Sequence, residues 1–133
     1  MVAINKFTVM KIETFYITSE NEFSNTFKQW SDKLDLPVNL LDGKNNELHE
    51  LVDGILLFHE NHDISKDSEE IITSLDKSNI PAHKVDINGT LTATVTNFQM
   101  WIERNSCKNV VVLGNPEVSK NENLYRFLEK LEA

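Results

Sequence analysis

The side chains best suited to chemistry in this sequence follow short apolar runs. Thr18, Ser19 and Glu20 come after KIETFYI, and His59, Glu60 and Asn61 come after GILLF. Asp86 and Asn88 end a third run, while Gly114, Asn115 and Glu117 follow VVVL. Hydroxyls, amides and carboxylates at such points can hold a polar small molecule, or can cap the helix that follows. Ser68 and the neighbouring Glu69 and Glu70 stand near a helix start. A carboxylate there can act as nucleophile or general base if a pocket shields it, and it also meets the helix dipole favourably. His59-Glu60-Asn61-His62-Asp63 has ligand-type side chains, but the alternation of a strand end separates the two imidazoles, so no metal is expected. No P-loop, paired CxxC or Ser-His-Asp order is present. Glu69 and Glu70 are therefore the candidate catalytic residues. The candidate ligand-binding residues are Thr18, Ser19, Glu20, His59, Asn61, Ser68, Asp86, Asn88, Gly114, Asn115 and Glu117. No cofactor is implied.

For these residues to converge, the runs before them must be strands lying side by side. Residues 11–18 are rich in β-branched and aromatic types, with 4–10 as an extension or an edge strand. Residues 38–41 suit a short strand, and 82–87 a longer one. The runs at 52–58 and 110–113 are almost wholly apolar, as expected of strands buried on both faces of a parallel sheet. Between them lie helical stripes: Phe23, Phe27, Trp30 and Leu34; Ile71, Ile72 and Leu75; Leu91, Val95, Phe98 and Ile102; and Leu124, Phe127, Leu128 and Leu131. Ser19 with Glu22, and Ser119 with Glu122, have capping-box spacing. Ser65 or Asp67 can cap the helix after residue 65, and Thr90 the next. Residues 42–46 and Asn88-Gly89 read as turns, and Trp101 is placed at the edge of its stripe, available for a subunit contact. The alternation predicts a three-layer α/β/α, Rossmann-like fold with a mainly parallel sheet of about five strands, in a single domain over residues 1–133.

The chain of 133 residues can bury one core without disulfides, and its single cysteine, Cys107, suits a reducing, cytoplasmic setting. A net charge of −8 with no basic run excludes general nucleic-acid binding. No apolar stretch is long enough to span a membrane and no signal peptide is apparent, so a soluble protein is expected. Exposed helix faces would serve a homo-oligomer.

From about residue 48 to 131 the chain resembles the circularly permuted YpsA-like branch of the SLOG superfamily, whose members carry the label of putative molybdenum carrier proteins. Val52-Asp53-Gly54-Ile55-Leu56-Leu57 is similar to that family's Ser-Asp-Gly-Thr-Leu-Ile strand. The stretch from Ser68 through Pro81 to Asp86 keeps the spacing of its Gly-Gly-Thr helix, proline and strand-ending acid. Trp101-Ile102, then Val112-Leu113-Gly114-Asn115-Pro116-Glu117-Val118-Ser119-Lys120, then Tyr125 and Phe127-Leu128 resemble its Trp-Ile pair, Asn-Val-Ala-Gly-Pro-Arg-x-Ser-Lys segment and terminal helix. The resemblance implies a Rossmann-like fold and a nucleotide or nucleotide-derived ligand, bound without robust catalysis. The alternatives are an N-glycosidase or phosphoribohydrolase-like enzyme using Glu69 or Glu70, and a non-catalytic, homo-oligomeric interaction protein. The loop Thr18-Ser19-Glu20-Asn21 lacks the family's glycines, and Lys66-Asp67-Ser68 replaces Gly-Gly-Thr. Both changes oppose close approach of a phosphate to backbone amides.

Overall fold

Residues 12–41 and 48–132 of the computed structural model are described; the expected strand at 4–10 and turn at 42–46 lie outside them. The apolar runs form strands β1 (Thr14–Ile17), β2 (Val38–Leu40), β3 (Gly54–His59), β4 (Ala82–Asp86) and β5 (Asn109–Gly114). All pair in parallel, in the order β2-β1-β5-β3-β4. The last strand is therefore central: Ile17 pairs with Val112, and Phe58 with Gly114. The helices are α1 (Glu22–Lys33), the four-residue α2 (Leu48–Leu51), α3 (Lys66–Asp76), α4 (Leu91–Asn105) and α5 (Glu122–Glu132), with a 3₁₀ turn at Pro116–Lys120.

Alternation along each strand sends its side chains to two separate cores. Phe15, Leu56, Phe58, Val85, Val110 and Val112 pack with Phe23, Phe27 and Trp30 of α1, with Phe98 and Ile102 of α4, and with Leu124, Phe127 and Leu128 of α5. Ile55, Leu57, Val111 and Leu113 face the other way, against Leu48 of α2 and Leu75 of α3. The connections through α1 and α4 run toward the β2 edge, and those through α2 and α3 toward the β4 edge. Opposite directions on opposite faces are what a single crossover hand requires.

Two glycines admit helices onto the first face. A Cβ on Gly114 would lie 2.7 Å from Cε2 of Phe23, and one on Gly54 would lie 2.7 Å from Cys107 Sγ and 3.1 Å from Trp101. Trp101 is thus covered within the chain, stacked on His83 with centroids 5.5 Å apart, rather than presented to a subunit. Its Nε1 is buried without a hydrogen-bond partner. Trp30 donates its Nε1–H to the Leu128 carbonyl at 3.1 Å, tying α1 to α5.

Several local expectations need correction. The cap of α1 is Asn21, not Ser19: Asn21 Oδ1 accepts the Ser24 N–H and Ser24 Oγ accepts the Asn21 N–H, both at 2.9 Å. Ser119 lies inside the 3₁₀ turn, and Asn121 Oδ1 instead accepts the Asn123 N–H at the start of α5. Ser65, rather than Asp67, caps α3, accepting the Ser68 N–H at 3.1 Å. Thr90 precedes α4 in extended conformation, but its side chain makes no capping bond. Val52 and Asp53 fall outside β3, because the Asp53 carboxylate accepts the Lys108 and Asn109 amides at 2.9–3.1 Å and serves as a clasp at the base of β5.

Candidate functional site

Where the crossovers diverge, their loops separate and leave a cleft over the carboxyl ends of β1 and β5, the usual ligand position in an open parallel sheet. Its volume is about 580 Å³, within the range of small-molecule sites. One wall is Thr18, Ser19, Asn21, Phe23 and Ser24 from the end of β1 and the start of α1. The floor is Val112 to Leu113, continuing through Gly114, Asn115 and Pro116. The opposite wall is Ser65, Asp67, Ser68, Glu70, Ile71, Ser74 and Leu75, with Leu48 and His49 of α2 at the rim. On α3 the positions 67, 70, 71 and 74 recur at helical spacing, so one face of the helix meets the cleft.

The site is polar in a specific way. Ser24 Oγ donates to the Ser19 carbonyl at 2.8 Å, which fixes the loop after β1. Ser68 is buried and accepts from Ser65 Oγ at 3.1 Å. Asn115 donates its Nδ2 to the Asp63 carbonyl at 3.1 Å, joining the loops after β5 and β3. Asp67 and Glu70 bring two carboxylates to the wall, while His49, half exposed, lies 3.8 Å from Glu50. No Lys or Arg among the described residues lines the cleft.

The fold resembles one already solved. The chain is similar to the crystal structure of a putative molybdenum carrier protein from Syntrophus aciditrophicus SB, with a TM-score of 0.70 over 91% of this chain and 92% of that one. Identity between the two is 12%, so the likeness shows the Rossmann-like fold alone. No protein-family model and no curated protein matches the sequence.

Of the residues expected at a site, Thr18, Ser19, Ser68, Gly114 and Asn115 meet in this cleft, and so does Glu70. Glu20 and Glu69 are exposed and do not line it. Gly114 contributes backbone and, above all, room for Phe23. The others gather elsewhere. Asp86 Oδ1 accepts the Asn88 N–H at 3.0 Å, closing the turn after β4. Asn88 accepts from Asn121 Nδ2 at 2.9 Å, and Asn121 also reaches Glu60 at 3.3 Å. Glu117 borders the same polar patch, across the 3₁₀ turn from the cleft.

His59 ends β3 and is 2% exposed, so it is a core residue and not a solvent-facing one. Its Nδ1 accepts the His62 N–H at 3.0 Å, and the two rings stack with centroids 5.0 Å apart. The rings are therefore together, contrary to the alternation argument, because Asn61 and His62 take left-handed φ values of 50° and 66° and fold the chain back. Burial pushes the His59 imidazole below its ordinary range, opposed in part by Asp86. No group of three or more metal-ligand side chains occurs among the described residues.

Asn21, Ser24, His49 and Ser74 were not anticipated as lining residues. Ser74 was readable from the helical period of Asp67, Glu70 and Ile71. The α2 turn carries no such signal, because four residues are too few to show a period.

Proposed function

We propose that this chain is a divergent SLOG-type domain that binds a nucleotide-derived small molecule in the cleft between the β1 loop, the β5 loop and α3. The observation that carries the reading is the position of the cleft at the point where the crossovers part, with apolar walls at Phe23, Ile71 and Leu75 and hydroxyls at Thr18, Ser68 and Ser74. Apolar walls suit a planar base, and hydroxyls suit the rim of a sugar. A ligand that binds only the folded chain raises its melting temperature. Thermal denaturation against a panel of bases, nucleosides, nucleotides and nucleotide sugars tests this. A shift lost in Ile71→Asp supports the cleft, and no shift across the panel removes the reading.

One observation favours a second reading. Glu70, unlike Glu69, lines the cleft, in reach of whatever binds there. An N-glycosidase would use such a carboxylate at the glycosidic carbon. Release of free base, abolished by Glu70→Gln and retained by Glu69→Gln, would establish it. Absence of turnover with ligands that bind would leave a binding domain.

A further inference from the structure

We infer that the cleft takes the base and sugar without phosphate, so that its ligand class is the neutral nucleoside and not the nucleotide; this rests on the binding site proposed above. Phosphate sites in parallel sheets depend on free amides at a helix start, glycines that let the anion approach, and a cation beside it. Here one amide at each helix start is taken, the loop after β1 has no glycine, and no Lys or Arg among the described residues lines the wall. At α1 the Ser24 amide is already held by Asn21 Oδ1 at 2.9 Å, and at α3 the Ser68 amide is held by Ser65 Oγ at 3.1 Å. The loop at 18–21 contains no glycine. Asp67 and Glu70 place two negative charges on the wall, with no Lys or Arg opposite them among the described lining residues. Lys66 is exposed and does not line the cleft.

The same features suit a neutral glycoside. Carboxylates accept hydrogen bonds from sugar hydroxyls and exocyclic amines, and such charge-assisted bonds are the stronger kind. Among the described residues the Thr18 and Ser74 hydroxyls have no side-chain hydrogen-bond partner, which leaves both for a ligand.

The test is calorimetric titration of the full chain with adenosine, guanosine, cytidine and uridine, each against its 5′-monophosphate, at low salt and again in 0.5 M NaCl (about a 4 Å screening length). For the base that binds, the nucleoside is expected to bind at least tenfold more tightly than its monophosphate. The gap should narrow several-fold at high salt and in the Asp67→Asn/Glu70→Gln double variant, whose fold is checked by circular dichroism. A monophosphate that binds as tightly as its nucleoside, or more tightly, overturns the inference and leaves the proposed site standing. A gap that survives the double variant unchanged overturns the electrostatic account. No binding by any of the eight probes overturns the inference, and the site itself is then removed only if the wider panel of bases and nucleotide sugars also gives no thermal shift.

Discussion

Replacing Gly114 by alanine tests how α1 is seated on the sheet, and with it one wall of the cleft. The added Cβ would fall 2.7, 2.8 and 2.9 Å from Cε2, Cδ2 and Cζ of Phe23. Carbon atoms rest at about 3.6 Å, so the ring must retreat by roughly 0.9 Å. Phe23 is 1% exposed, with Phe58 and Phe27 at centroid distances of 5.4 and 6.3 Å, so two sides resist the retreat. Overpacking of this kind costs about 1–3 kcal/mol. Against it, alanine restricts the unfolded chain and returns about 0.4–1 kcal/mol, with no backbone penalty because Gly114 is not at positive φ. The net expectation is a loss of about 1–2 kcal/mol, or a urea midpoint lower by about 1 M if the slope is about 1.5 kcal/mol/M. The decisive measurement is the same substitution in a Phe23→Leu background. Leucine has no atoms at the Cε2 and Cζ positions, so Gly114→Ala should there become neutral or slightly stabilising. An equal cost in both backgrounds would refute the contact as its cause.

Three further outcomes follow from the structure. Asp53→Ala, which leaves the Lys108 and Asn109 amides without their carboxylate, should cost about 1–2 kcal/mol in urea unfolding, and Asp53→Asn less; equal stability of all three proteins would deny the clasp. Burial holds the His83 imidazole below its unfolded value of 6.5, so the unfolded chain binds the proton more readily. That contribution to stability is complete above pH 6.5 and declines as pH falls from there toward the folded value, so urea midpoints at pH 7.5 and 5.5 should differ less in His83→Gln than in wild type. The Cys107 thiol is 1% exposed and pushed up to about 11 by burial and the Asp53 carboxylate; it should react with a disulfide reagent at pH 8 only after urea is added, and fast labelling of the native chain would contradict its burial.

Much of this arrangement was legible in the sequence, for reasons that differ by element. Runs such as GILLF and VVVL are apolar on both faces, as a covered parallel strand requires, and the turn residues and helical stripes around them favour that reading. Their order in the sheet was not legible, because nothing local tells β5 to enter between β1 and β3. The stripe Phe23, Phe27 and Trp30 fixed the buried side of α1 but not its first residue. Ser19-x-x-Glu22 and Asn21-x-x-Ser24 both precede that stripe, and the choice depends on how far the chain must travel after β1 ends at Ile17. The strand-end rule brought Thr18, Ser19, Gly114 and Asn115 to the cleft, since β1 and β5 are neighbours. It leaves Asp86 and Asn88 apart from the cleft because β4 is an edge strand, remote from the point where the crossovers part. His59 was misjudged because β3 runs one residue further than its apolar run.

The central position of β5 has a consequence for biosynthesis. Until residues 109–114 are made, only two separate strand pairs can form, β1 with β2 and β3 with β4, each with both of its backbone edges unpaired. The keystone then fills the gap between them and covers the inner edge of each pair at once, so the nascent polypeptide should gain protease resistance in a single step once this strand is made, not in stages. The cleft is born in that same step, since its floor and both flanking loops converge only when β5 slides home.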